Sequence, residues 1–301
     1  GFPGADALSQ RSATNKYANL LVGKTLPSAV SIGFSAFLAD LGGLDGTEHL
    51  FATASGIEQR GDIVDIRVGL SKEFPGDRTL EAVVLHNRFS MTHDVTFFDW
   101  TLLDQITGIW EPEMRLETNE DRSRTWGAHV AYDQPVGPDG WRLGGLFTAN
   151  RKDHPKIPNY EIMDIPRDPG HSTAFDVGLG IAKVTDRTRF GIDLVFEPAT
   201  SETWAAADGP VETVSGDTIP DGAKTVENSF EFSNAFVNMG VTHDAGPVAV
   251  QFGLRVRAYD FHLDQWDHVL ESFRRQDEDW MEWVPSWGVS VRLADLELRY
   301  G

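Results

Sequence analysis

Residues 172–198 read STAFDVGLGIAKVTDRTRFGIDLVFEP. In the first half Phe175, Val177, Leu179 and Ile181 alternate with Asp176, Gly178, Gly180 and Ala182. In the second half Phe190, Ile192, Leu194 and Phe196 alternate with Arg189, Gly191, Asp193 and Glu197. A period of two is the pattern of a β-strand with unlike faces, so the stretch predicts a hairpin turning at 185–187. What meets each face decides the fold. A soluble sandwich or lipocalin-like barrel hides its apolar face in a core, whereas a membrane barrel turns that face to lipid.

The alternation recurs along the chain. Val30, Ile32, Phe34, Ala36 and Leu38 carry it, as do Val64, Ile66, Val68 and Leu70. So do Trp126 to Tyr132, Val248 to Val256, and Trp283 to Val291. The run 227–242 changes phase near Ser233, which predicts a bulge there. Short turns fall at 74–78, 134–139, 185–187, 243–246 and 293–295, and long connections at 39–62, 96–124, 151–171, 199–226 and 263–279. Short and long alternate strictly. Five long structureless loops count against a compact soluble domain, but short turns on one side and long loops on the other are the plan of an outer-membrane barrel. Strands of about 10–13 residues, rising ~3.3 Å each, also suit an apolar band ~25 Å tall. Aromatic residues at strand ends fit two interfacial girdles: Trp126, Phe175, Phe196 and Trp283 near the long loops, Tyr132, Trp141 and Phe190 near the short turns.

Composition narrows the functional classes. The 301 residues are 41% apolar and 24% charged, with no cysteine and a formal charge of −20. That excess of acid opposes nucleic-acid phosphates. No run of about 18 apolar residues is present, so no helix of the sequence is suited to span a bilayer. No GxSxG, HExxH or phosphate-cradling glycine loop occurs. His93-Asp94 and His243-Asp244 are simple adjacent pairs, so the reading is not an enzyme, with an outer-membrane hydrolase left open.

The architecture resembles that of a Gram-negative outer-membrane β-barrel over nearly the whole chain, read as one antiparallel barrel domain, 1–301. Twelve strands are expected: about 14–24, 28–38, 63–73, 79–95, 124–133, 140–150, 172–184, 188–198, 227–242, 247–262, 280–292 and 296–301. Residues 48–58 are a candidate for one more strand or for a hairpin. Both ends of this arrangement fall on the long-loop side, so the expectation is a strand lacking at each end and about fourteen in the full protein. At that size the chain is similar to the long-chain fatty-acid transporter family, whose members plug the barrel with an N-terminal hatch and pass hydrophobic molecules. It opens GFPGADALS rather than with that family's Asn-Pro-Phe, and no functional residue is carried over. The resemblance implies a bilayer and lipopolysaccharide as surroundings, long loops outside the cell, and small or hydrophobic solutes as cargo.

With the apolar face outward, the other face lines a wet lumen. It carries Asp65, Arg67, Arg142, Asp176, Arg189, Asp193, Glu197, Arg255, Arg257, Glu282 and Arg292. Opposite charges on neighbouring strands brace a barrel or line a polar path, and mixed signs imply weak ion selectivity. Loop 154–170 is stiffened by four prolines and bears Ile157, Tyr160, Ile162, Met163 and Ile165, a candidate constriction or ligand contact. Aromatic residues in 97–110 suggest an apolar entry. Four long connections, all but 151–171, carry a net −4 each. They read as an acidic rim, with calcium as a candidate ion at Asp277, Glu278 and Asp279 or at Glu117, Glu120 and Asp121. The function this supports is a porin-like outer-membrane channel or transporter for passive uptake. The alternative is a non-conducting surface barrel whose acidic loops bind a partner, an assembly or divalent cations.

Overall fold

The computed structural model describes residues 13–44, 54–104, 109–154, 169–207, 209–293 and 296–300. Every long element in it is a strand: β1 (Lys16–Leu26), β2 (Val30–Leu41), β3 (Gly56–Phe74), β4 (Arg78–Asp104), β5 (Ile109–Val136), β6 (Trp141–His154), β7 (Gly170–Val184), β8 (Thr188–Ala206), β11 (Lys224–Asp244), β12 (Val248–Asp267), β13 (Ser272–Leu293) and β14 (Leu296–Tyr300). These twelve form one antiparallel meander in chain order. The two-residue strands β9 (Val211–Glu212) and β10 (Thr218–Ile219) pair separately. Their hairpin leans on the turn between β12 and β13, where the Val214 amide donates to Val269 O at 3.0 Å and the Ser215 hydroxyl donates to Glu271.

All twelve expected strands are present, but most are longer than the alternation suggested. β4 has 27 residues and β5 has 28, so 96–124 is mainly a strand hairpin rather than a loop. Stretch 263–279 shrinks to a turn between Asp267 and Ser272. The acid-rich stretches 96–124 and 263–279 are therefore largely sheet. Near Ser233 the β8–β11 ladder runs without a shift, from Phe232 opposite Ala199 through Ser233 opposite Pro198 to Asn234 opposite Glu197. The expected bulge is absent: the chemistry of the strand changes phase there, and its backbone does not.

Directly opposed residues in a ladder point to the same side, so register sorts the faces. Phe34, Val68, Val84, Val130, Phe147, Val177, Leu179, Leu194, Phe252 and Trp287 share one face, and all are exposed, Leu179 at 65% and Phe252 at 59%. An apolar face left outside is the membrane answer to the opening question, because a soluble sandwich would have buried it. The girdle residues Trp126, Phe175, Phe196, Trp283, Tyr132 and Phe190 lie on this face and are exposed as well.

Farther from the short turns the outer face becomes polar. Above Val64, His86 and Trp126 stand Asp62, Arg88 and Arg124; above Ala258 and Met281 stand Asp260 and Asp279. The apolar residues of the same strands then turn inward. Ala39, Leu41 and Met91 form a core there, with Phe37, Ile63 and Phe89 packed on it. The strands thus leave the lipid band and continue as a collar, polar outside and apolar inside.

β1 and β14 are the two ends of the sheet, and no ladder joins them. β14 pairs with β13 over Val289–Leu293, and the edge of β13 from Ser272 to Gly288 carries no partner strand among the described residues.

Candidate functional site

The inner face at the level of the outer apolar band is built of small residues and paired charges. In the ladders Gly33 stands opposite Gly69, Gly144 opposite Gly180, and Gly240 opposite both Gly191 and Gly253. Small residues keep that wall thin and leave room between the charged side chains.

On β3, Arg67 Nε donates to Asp65 Oδ1 at 2.7 Å, and Asn87 of β4 donates to the second Asp65 oxygen at 3.1 Å. Across the β5–β6 turn, Arg142 Nε donates to Asp133 at 2.7 Å while its Nη2 donates to Asp77 O at 2.8 Å. On β12, Arg255 Nε donates to Asn238 Oδ1 at 2.7 Å. Arg257 lies 3.8 Å from Glu282 and donates to the Tyr259 hydroxyl at 3.3 Å, and that hydroxyl donates to Glu282 at 3.2 Å. Arg292 reaches Asp244 at 3.1 Å, beside the short turns. Asp176, Arg189, Asp193 and Glu197 share this inner face on β7 and β8, and none of the four forms an ion pair among the described residues. A cavity of about 640 Å³ is lined by Glu81, Asp133, Arg142, Gly178, Gly180, Asp193 and Asn238. Those residues come from β4, β5, β6, β7, β8 and β11, so the sheet curls far enough for strands well apart in order to border one space.

All eleven lumen candidates therefore lie on one face, but in separate clusters rather than around one centre. Several partners escaped the sequence reading: Asn87, Asp133, Asn238, Asp244 and Tyr259. Asn87 stands opposite Asp65, Asn238 opposite Arg255 and Tyr259 two positions from Arg257, while Asp133 and Asp244 lie two positions from the residues opposite Arg142 and Arg189. Ile157, Tyr160, Ile162, Met163 and Ile165 lie outside the described residues.

The acidic triplets do not converge. Asp277 and Asp279 point outward while Glu278 points inward, because consecutive strand residues alternate faces. Glu120 is likewise separated from Glu117 and Asp121. Among the described residues no cluster of three or more metal-ligating side chains is present. His93 and Asp94 part company in the same way, and so do His243 and Asp244.

Above the paired charges the inner wall differs between the two ends of the sheet. On β2–β5 it is shut: Met91 and Val95 are 0% exposed, with His93 and Asn119 buried beside them. On β11–β13 it is a half-open aromatic wall. Tyr259 and Trp280 stack with centroids 4.7 Å apart at 14°, Phe236 meets Tyr259 edge-on at 6.3 Å, and Phe232 meets Phe261 at 5.0 Å.

No protein-family profile matches the sequence, and no curated protein does. Solved structures do match. A copper transporter, OprC, superposes with a TM-score of 0.50 at 12% identity, over 93% of this chain and 51% of its own. The closed form of the ferric-catecholate import receptor Fiu from E. coli K12 gives 0.50 at 10% identity, over 94% of this chain and 47% of its own. The fold is that of an outer-membrane β-barrel wall, and the likeness is one of fold. This chain spans about half the length of those two structures. The agreement stops at the outer-membrane barrel and does not reach the fatty-acid transporter family.

Proposed function

We propose that the chain forms the wall of an outer-membrane conduit through which small solutes enter passively, with hydrophobic solutes among its cargo. One observation carries this: a face of small residues and charges, many of them paired, is backed by an apolar face that lipid would cover. Such a wall presents hydrogen-bonding groups to a passing solute and holds no excess of either sign in its Arg–Asp and Arg–Glu clusters. Weak ion selectivity follows.

Single-channel recording in planar bilayers tests the reading. Steady conductance steps are expected, and Arg255→Gln with Arg257→Gln should shift the reversal potential toward cations. Insertion without any steps would overturn passive passage. It would favour the second reading, a non-conducting surface barrel, for which the shut inner wall at Met91 and Val95 speaks.

A further inference from the structure

The aromatic wall on β11–β13 lies beside the Ser272–Gly288 edge of β13, which has no partner strand among the described residues. Trp280 stands on that edge, 43% exposed, with one of its faces stacked on Tyr259. Its neighbours on the same face of β13 are Glu278 and Glu282. In the row that runs across the sheet from Trp280 come Tyr259, Asn234, Glu197 and Asp176, and Glu197 lies within electrostatic reach of both Asp176 and Arg257. The Asn234 Oδ1 atom is buried without a hydrogen-bond partner.

An aromatic ring presents negative charge from its face and attracts cations there. The wall already shows that preference once: the Arg257 guanidinium sits over the Phe236 ring, 5.4 Å from its centroid. Among the described residues no cation of the chain lies over Trp280. The carboxylates Asp176, Asp193, Glu197, Glu278 and Glu282 outnumber Arg255 and Arg257 on this stretch of inner face, a local surplus beside the balanced clusters elsewhere that favours a cation over an anion at this place.

We propose that Trp280, with Tyr259 behind it and Glu278 and Glu282 on either side, is a recognition site for organic cations, amines or quaternary ammonium groups carrying an apolar body. The inference rests on the conduit reading for its biological sense, since it names the class of solute that would pause at the wall. It is tested separately from it.

The probe is benzyltrimethylammonium, titrated calorimetrically into the detergent-purified full chain, with benzoate as the anion of similar size. Saturable binding of the cation, at least tenfold tighter than benzoate, is expected. Trp280→Leu should weaken it about tenfold, Trp280→Phe should restore most of it, and Glu282→Gln should weaken it and flatten its dependence on salt. Circular dichroism and detergent-resistant migration of each variant establish that it is folded. Absence of saturable binding would overturn the proposal, as would equal binding of benzoate or unchanged affinity in folded Trp280→Leu. Conductance of the same preparation separates the two claims: binding without conductance contradicts the conduit alone, and conductance without binding contradicts this site alone.

Discussion

Gly140 closes the turn between β5 and β6 at φ +73°, and its carbonyl accepts the Val184 amide at 2.8 Å. A Cβ at that position would stand 2.1 Å from Val184 O, so a side chain is opposed both by the backbone conformation and by the neighbouring strand. Gly140→Ala should destabilise the folded sheet by roughly 1–3 kcal/mol, the range for a strained backbone. Urea unfolding in lipid vesicles measures it. His262 is a second residue with a defined expectation. It stands on the outer face of the collar, with Nδ1 2.5 Å from Asp277 and Nε2 2.9 Å from Asp260. The hydrogen bond to Asp277 raises its pKa above the ordinary 6.5, with Asp260 and Glu231 adding to the effect. A group whose folded pKa is raised stabilises the fold below its unfolded value and loses that contribution as pH climbs through the folded one. The stability difference between the native protein and His262→Gln should therefore be fully present below the ordinary pKa of 6.5 and be lost as the pH rises through the raised pKa of the folded protein. A difference that grows with pH would contradict the contact.

Along a strand, the same backbone serves two solvents. β3 shows lipid-suited Val64, Ile66, Val68 and Leu70 on its outer face, then Asp62, Arg60 and Glu58 farther up. Charge should accordingly be costly at one height and harmless at another. Val68→Arg faces Phe34 and Val84 in the ladders and should cost about 2–4 kcal/mol of folding into a bilayer, as for a cation near the midplane. Thr92→Arg, in the row of Arg60 and Glu120, should stay within about 0.5 kcal/mol. Equal costs at both positions would remove the lipid boundary drawn here. That boundary also explains what the sequence made legible. Below it, period-two apolar residues mark each strand and give the faces of Asp65, Arg67, Asp176 and Arg257 by parity. Above it, on β11, outward Ala235 and Val237 give way to inward Phe230 and Phe232. The eye tracking apolar residues meets an apparent slip, and the upper halves of β4, β5 and β13 pass for loops. The wall of Phe236, Tyr259 and Trp280 stayed hidden for the same reason: its aromatic residues stand at positions that the lower halves of the strands reserve for polar groups.

At the scale of the molecule, twelve strands in chain order give a sheet that needs only local pairing, curled around a space lined from β4 to β11. A bilayer leaves unpaired strand edges unsolvated at several kcal/mol per group, so β1 and the lower part of the β13 edge, from Met281 to Gly288, are where membrane and sheet most constrain each other. Everything argued about conduit, collar and aromatic wall depends on which face meets lipid. Because the chain has no cysteine, that can be read directly. Single cysteines placed at each position from Val64 to Ser71 of β3, in protein reconstituted into vesicles, would be treated with a water-soluble, membrane-impermeant maleimide. The account predicts labelling at Asp65, Arg67, Gly69 and Ser71 and protection at Val64, Ile66, Val68 and Leu70. The opposite alternation, with the Val64 series labelled and the Asp65 series protected, would contradict it.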